Sequence, residues 1–435
     1  MRIRLVSSIV ALLIVSGCGT SASQPASTGG AGATQDGPLQ LSFAIFGGGG
    51  PHLDWMLSET KSYDDAVDGV TVDYTQDNFY AKPVDPYDKL QQRYFEDDPD
   101  LVAGFIGGSL RPDAEAGRFL DLSDLWSQLG LEHAVPASIA DLASVDGHRY
   151  WVPTLAQWNP VFYNTQAFAA AGVEPPQDWD ALLQVCADLR AAGIERPISQ
   201  AGEPSWTPPA ARWFSTINLA LNGPDIHEQL AQGRVAWTDE RVRAVFAEWN
   251  QLIDAGCFGD PILQSYSDAI AKLADGRAPM QNLGEWIYES AFLHDDDPID
   301  FFSLPPIAAG LPRTQIALVY GLAIPADAAH PEEAKALLQQ LVSQQALTRA
   351  YQTVPRVIPD SRVDPGYLPR HQRGLELFQQ ADRLVELWEF SAPREQGDIG
   401  LDLFTSFLAD RSGLEGYLEE AERARIAAYG PADGG

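Results

Sequence analysis

"APMQNLGEWIYES", residues 278–290, reads as a short strand, a turn at Gly284 and the first turns of a helix. Trp286 then stands at the C-terminal end of a strand and the N-terminal end of a helix. Open α/β sheets collect ligands at that position. The indole has two readings here. It is a platform aimed at a ligand, or it joins Phe292 and Leu293 in a helical core stripe.

Outward from this stretch the chain alternates short apolar strands with amphipathic helices. Strand candidates are "QLSFAIF" (40–46), "DGVTVDY" (68–74), "DLVAGFIGG" (100–108), "NPVFYN" (159–164), "RPISQ" (196–200), "DFFSLPP" (300–306) and "QIALVYGLAIP" (315–325). In "DWDALLQVCADLRAAG", Asp178 is the expected N-cap, Trp179, Leu182, Leu183, Cys186 and Leu189 share a face, and Gly193 ends the helix. In "TDERVRAVFAEWNQLIDAGCFG", Thr238 is the expected cap and Val242, Val245, Phe246, Trp249, Leu252 and Ile253 form the stripe. "HPEEAKALLQQLV" opens with Pro331 and two glutamates, as a helix start should. Such alternation predicts an α/β fold with mostly parallel sheets. No repeat of solenoid or propeller period is present.

The first residues, "MRIRLVSSIVALLIVSGCGTSAS", have a positive start at Arg2 and Arg4 and an apolar run too short to span a bilayer. They predict an export signal. "VSGC" (15–18) resembles the lipobox of bacterial lipoproteins, which implies cleavage before a diacylated Cys18. Two or three acyl chains anchor far better than one. Residues 19–37 are small and polar and predict a flexible tether with a reach of about 24 Å. Roughly 400 residues remain, which suits two lobes better than one core.

With 60 acidic and 29 basic residues the formal charge is −31. Such a surface repels nucleic acid and anionic lipid, and suits a neutral ligand. Once Cys18 is set aside, Cys186 and Cys257 remain in an oxidising setting. Cys186 lies on a buried helical face and Cys257 follows the glycine stop of another helix, so a Cys186–Cys257 disulfide is expected where those helices pack.

Enzyme motifs are wanting. "GGGG" (47–50) lacks the Gly-Lys-Ser/Thr ending of a phosphate loop and does not satisfy Gly-x-Gly-x-x-Gly. "HDDDP" (294–298) lacks the glycine and glutamate of an EF-hand, and the histidines form no zinc-type pair. No Gly-x-Ser-x-Gly elbow is present. No cofactor, metal or catalytic residue is expected. A glycosidase needs only two carboxylates across a cleft, so a secreted carbohydrate-active enzyme stays open as the rival class.

The order of "YDKLQQRYFEDDPDLV" (87–102), "LRPDAEAGRFLDLSDLW" (110–126), "DGHRYWVPTLAQWNPVFYNTQAFAAAGVEPPQDWDALL" (146–183), "LADGRAPMQNLGEW" (273–286) and "YGLAIPADAAHPEEAKALLQQL" (320–341) resembles the extracellular solute-binding proteins of bacterial ATP-binding cassette importers, in their carbohydrate-binding class. The resemblance runs from about residue 40 to about 345, and "TVPRVIP" (353–359) resembles the family's turn near the ligand. It implies a two-lobe, periplasmic-binding-protein-like fold, each lobe a mostly parallel sheet flanked by helices, with the ligand cleft at the hinge. Lobe 1 would take 38–152 plus 306–345 and lobe 2 would take 153–305 plus 346–435, with crossings near Pro153, Leu304 and Ser343. In that family the tryptophan of this Gly-x-Trp motif stacks on the sugar, which implies that role for Trp286.

Strand ends choose the other candidates. His52 and Trp55 follow the first strand, Gly107, Gly108 and Ser109 the third, and Gln157, Trp158 and Asn159 the segment after Pro153. Tyr320 ends the strand that begins at Gln315, Trp206 lies in the proline-rich "EPSWTPPA", and Arg356 is the candidate cation. Trp55 and Trp158 serve equally well as interlobe packing, while Trp179, Trp213 and Trp249 are left to the core. Sugar C–H faces lie flat on indole rings, and sugar hydroxyls need polar partners such as carboxylates, amides and arginine.

The expected protein is therefore a non-catalytic, lipid-anchored, monomeric receptor outside the cytoplasm, which passes a saccharide to the membrane domains of an importer. A non-catalytic surface adhesin stays open beside it, as does a binder of oligopeptides or polyamines. Cys18→Ser should release the protein into the medium or leave it unprocessed. Mass spectrometry that finds an unmodified terminus elsewhere than residue 18 would remove the anchor.

Overall fold

A computed structural model describes residues 38–45, 51–76, 95, 98–107, 110–200, 209–259, 264–289, 293–294, 296–304 and 306–431. Cys18 and the tether, the glycine run 47–50, Gly108, Ser109 and Trp206 lie outside these residues.

The strands are β1 (Leu39–Ile45), β2 (Val70–Gln76), β3 (Leu101–Ile106), β4 (Val152–Trp158), β5 (Val161–Asn164), β6 (Met280–Asn282), β7 (Ile299–Phe302), β8 (Thr314–Ala323) and β9 (Arg383–Val385). The helices used below are α1 (Pro51–Ala66), α2 (Ala137–Leu142), α3 (Trp179–Ala191), α4 (Pro209–Ala231), α5 (Glu240–Asp254), α6 (Pro331–Leu341), α7 (Gln344–Thr353), α8 (Pro369–Gln380), α9 (Arg394–Ala409) and α10 (Leu414–Tyr429). β1, β2, β3, β4, β8 and β9 form a six-stranded sheet, and β5, β6 and β7 a separate three-stranded one. These sheets mark the large and small lobes of the two-lobe α/β fold.

Strand directions are mixed. β1 is parallel to β2 and β3, and β8 is parallel to β9, but β8 runs antiparallel to both β3 and β4. The small sheet is antiparallel throughout its described strands. The expectation of mostly parallel pairing thus fits the β1–β3 region, where α1 crosses over between β1 and β2. It does not fit the strands that come and go across the lobe boundary.

Local expectations meet the structure unevenly. Asp178 caps α3 by accepting from the Ala181 amide at 2.7 Å. Asp239, not Thr238, caps α5, because its Oδ1 accepts from the Arg241 amide at 2.8 Å. "RPISQ" yields a single bridge, Ile198 to Met280, in place of a strand. The helix expected after Gly284 is a short 3-10 turn, Glu285–Glu289.

The crossings fall later than expected. β4 stays paired with β8 as far as Trp158, so the chain leaves the large sheet at Asn159–Pro160 and not at Pro153. The segment after residue 346 also stays with the large lobe. The Trp55 indole on α1 donates to the Ala346 carbonyl at 3.0 Å, and Arg349 on α7 grips the buried Glu59 at 2.6 and 2.7 Å. β9 then extends the large sheet, so the return to the small lobe comes only after residue 385. There α9 and α10 complete a second core around Phe214, Trp237, Trp249, Trp388, Phe404 and Phe407.

Cys186 and Cys257 form a disulfide within that core, with Cα atoms 5.2 Å apart and a sequence separation of 71. On the chain-entropy model such a loop stabilises by about 4 kcal/mol. Reduction, or Cys186→Ser with Cys257→Ser, should lower the denaturant midpoint accordingly. Two titratable thiols in the unfolded, unreduced protein would show the bond absent.

Candidate functional site

β8 is central to the site because its two faces serve different cores. Ala317 and Val319 enter the main core. Ile316 and Leu318, on the other face, form a separate apolar cluster with Leu219 of α4, Val385 of β9 and Leu387. Phe105 of the large lobe and Trp286 of the small lobe pack on this cluster from either side. The cluster is an apolar seam at which β3, β6 and β9 all end, and it decides between the two readings of 278–290. Trp286 is half-buried at the boundary between the lobes.

The Gly-x-Trp motif has a steric reason. The Trp286 ring folds back over Gly284, and a Cβ at 284 would overlap the six-membered part of the indole. Behind the ring lies the fully buried Arg212, its guanidinium carbon 5.2 Å from the ring centroid. That distance suits a cation–π contact.

Glu285, the middle residue of the motif, ties the turn to the hinge. Gln157 Nε2 on β4 donates to its Oε2 at 3.2 Å, and His371 Nε2 on α8 lies 3.3 Å from its Oε1. On its other side His371 meets Tyr351, whose Oη accepts from the Leu368 amide at 2.8 Å and is 2.9 Å from His371 Nδ1. Beside this group Asn159 Nδ2 donates to Asn282 Oδ1 at 2.8 Å, and Asn282 Nδ2 donates to Thr216 at 2.9 Å.

Tyr320 is buried on the large-lobe side. Its ring centroid is 4.4 Å from that of Phe105 and 4.4 Å from that of His52, and the Arg356 guanidinium carbon lies 5.2 Å from it. His52 is fully buried, and both its ring nitrogens lack a hydrogen-bond partner in the structure. Burial first, and the nearby Arg356 charge second, hold its pKa well below the ordinary histidine value, so the ring is neutral.

The structure thus brings Trp286 to the seam, sets Tyr320 with Arg356 over its ring against Phe105, and ties Gln157 to Glu285 and Asn159 to Asn282. Two candidates are packed elsewhere. Trp55 is buried between α1 and α7, as its bond to Ala346 shows. Trp158 points to the opposite face of β4 from Gln157, against Phe301, His371 and the backbone of Gly374. Gly108, Ser109 and Trp206 are outside the described residues.

An open cavity of about 760 Å³ adjoins the seam at Val385. Its wall includes Gly107, Arg111, Asp141, Glu228, Arg383 and Glu386, drawn from both lobes. The volume is in the ordinary range for small-molecule sites. Among the described residues no group of three or more His, Cys, Asp or Glu is placed to hold a metal ion. Sequence reasoning missed Arg212, Glu285, Phe105 and Glu386. Glu386 directly follows the apolar end of β9, but among 60 acidic residues that position alone does not single it out.

Residues 69–347 match the family model described as "Bacterial extracellular solute-binding protein". The match covers more than half of the chain, which belongs to that family. An uncharacterised ABC transporter extracellular-binding protein of Pyrococcus horikoshii is 28% identical over 298 residues, 68% of this chain and 67% of that one. A probable sugar-binding periplasmic protein of Brucella melitensis is 27% identical over 203 residues, 45% of this chain and 46% of its own length. The chain thus spans about half the length of that relative. The solved bacterial solute receptor AcbH, described as preferring β-D-galactopyranose, superposes with a TM-score of 0.77 at 21% identity, over 91% of this chain and 99% of that one. At that identity the likeness speaks for the fold.

Glu285→Gln isolates the brace. The glutamate turns one oxygen to Gln157 Nε2 and the other to His371 Nε2, whereas glutamine has a single carbonyl oxygen to meet the two nitrogens. The variant should lose about 1–3 kcal/mol of ligand-free stability in denaturant melts. An unchanged melt would show that the brace carries no weight.

Proposed function

We propose that this protein is the solute-capturing receptor of an ATP-binding cassette importer, held to the outer face of the cell membrane through Cys18, and that its solute is a saccharide. The observation that carries the reading is Trp286. It is a half-buried indole, backed by the buried Arg212, set over an apolar seam built by both lobes. A sugar ring lying on that indole would meet apolar surface on one face and the polar wall of the adjoining cavity around its hydroxyls. The Brucella relative, a probable sugar-binding protein, points the same way.

Capture would act by hinge closure. The lobes are joined where β4 passes into β5, where β7 passes into β8 and where the chain leaves β9, and the seam lies at those crossings. A ligand touching both sides would favour the closed arrangement, which is the form an importer's membrane domains would read. No step of this reading requires bond cleavage.

The test begins with a thermal-shift screen over mono- and oligosaccharides, because a ligand that binds only the folded state raises the melting temperature. For a sugar found this way, Trp286→Ala should weaken binding by about 2 kcal/mol, roughly 30-fold, in calorimetric titration. The ligand-free melt should shift far less than the 3–5 kcal/mol expected for a core tryptophan. Unchanged affinity with a collapsed melt would take Trp286 out of the site. Products released from incubated oligosaccharides would replace the receptor by an enzyme.

A further inference from the structure

Between β6 and Trp286 the chain passes from one core to the other. Met280 of β6 packs in the second core, whereas Leu283 and Ile287 pack in the main core with Val319 of β8 and Leu375 of α8. Tyr288 meets Phe162 of β5 edge-on and lies under Arg370 of α8, whose guanidinium carbon is 4.3 Å from the ring centroid. Glu285 faces Gln157 of β4 and His371 of α8. The turn that carries Trp286 is thus seated on the large lobe, although the strand leading into it belongs to the small sheet. Arg212, behind the indole, comes from α4 between Ala211 and Trp213 of the second core. The ring stands where the lobes meet, and its seat decides which lobe it follows.

A 3-10 turn has three residues per revolution, so successive side chains leave it about 120° apart. Here they go to three destinations: Glu285 to the polar pair, Trp286 to the seam and Ile287 to the main core. Fixing the first and the third therefore fixes the second. Ile287 supplies apolar packing, which is non-directional. Glu285 supplies direction. It is 2% exposed, and each of its oxygens meets a nitrogen from a different element, Gln157 Nε2 at 3.2 Å and His371 Nε2 at 3.3 Å. Contacts of a buried charged group are stronger than those of a neutral one. Gly284 completes the seat by leaving the space over its Cα to the indole.

We propose that Glu285 is the positioning residue of the site: it seats the Trp286 indole on the large lobe, and without it the ring loses the pose that a solute meets. The proposal rests on the reading of Trp286 as the solute platform and adds to it the residue that sets the platform. Glu285 itself touches no solute. Its two partners lie on β4 and α8, so the ring is held by elements on the far side of the hinge from β6.

Calorimetric titration with the tightest sugar from the thermal-shift screen, well below the melt of every variant, supplies the first arm. Glu285→Gln should lose affinity about tenfold in the wild-type background and about twofold or less beside Trp286→Ala. Glu285→Asp keeps the charge but is a methylene too short to meet both nitrogens. It should behave alike, and it serves where the glutamine variant does not fold. A glutamate that merely supports the fold would lower affinity equally with and without the indole, and that result overturns the proposal. Wild-type affinity in both variants overturns it too. The second arm needs no sugar. Trp286 emission is taken as the difference between each protein and its Trp286→Phe counterpart. In Glu285→Gln it should move to longer wavelength and be quenched more readily by acrylamide. An unmoved difference spectrum is fatal to the proposal by itself. If no sugar binds, or if Trp286→Ala binds as the wild type does, the saccharide reading falls, and the emission arm still decides whether Glu285 sets the ring.

Discussion

Strand β8 is the member on which both lobes hang. Along one edge it pairs with β4 for most of its length, and along the other it holds β3 and then β9. Its C-terminal half belongs to the large lobe, while its N-terminal half is reached directly from β7 of the small sheet. Alternation along a strand sends successive side chains to opposite faces. Here it sends Ala317 and Val319 into the main core and Ile316 and Leu318 to the seam. One ten-residue strand thus fixes the core of the large lobe and the floor of the candidate site. A slip of one residue would exchange the two faces and lose both.

Charges of both signs are buried inside this acidic molecule. The chain carries a formal −31, yet buried arginines stand beside the seam: Arg212 under Trp286 and Arg356 over Tyr320. Delocalised guanidinium groups stacked on aromatic faces are the form in which buried positive charge is most readily held. The acidic exterior keeps anions away from the molecule, while the interior offers aromatic faces, amides and a few fixed charges.

Much of the fold was legible because it rests on local patterns. The strands near 40, 70, 101, 161, 280, 300 and 315 all showed apolar runs bounded by glycine, proline or acidic residues, and the cap at Asp178 and the helix start at Pro331 were visible as residue types. What escaped depended on distant partners. The place of residues 346–385 is set by Trp55 reaching Ala346 and Arg349 reaching Glu59, contacts some 290 residues apart that no local period records. Trp55 and Trp158 could not be told from site tryptophans by sequence, since a strand end looks the same whichever face the ring takes. Glu285 and Glu386 were passed over for a related reason. Among 60 acidic residues, only packing shows which carboxylates are buried.

The late return of the chain to each lobe bears on how the molecule comes into being. The large core includes Leu384 as well as Leu41, and the small core includes Leu418 as well as Val161. Neither core can close until nearly all of the polypeptide is available. Pairings of such long sequence separation form slowly, because the loop must be closed before its contacts give any return. A nascent chain of this design stays open until its last helices arrive, and an open chain is what a narrow protein-conducting channel can accept. The wiring that makes two lobes into one hinged body also delays folding until the chain is almost complete.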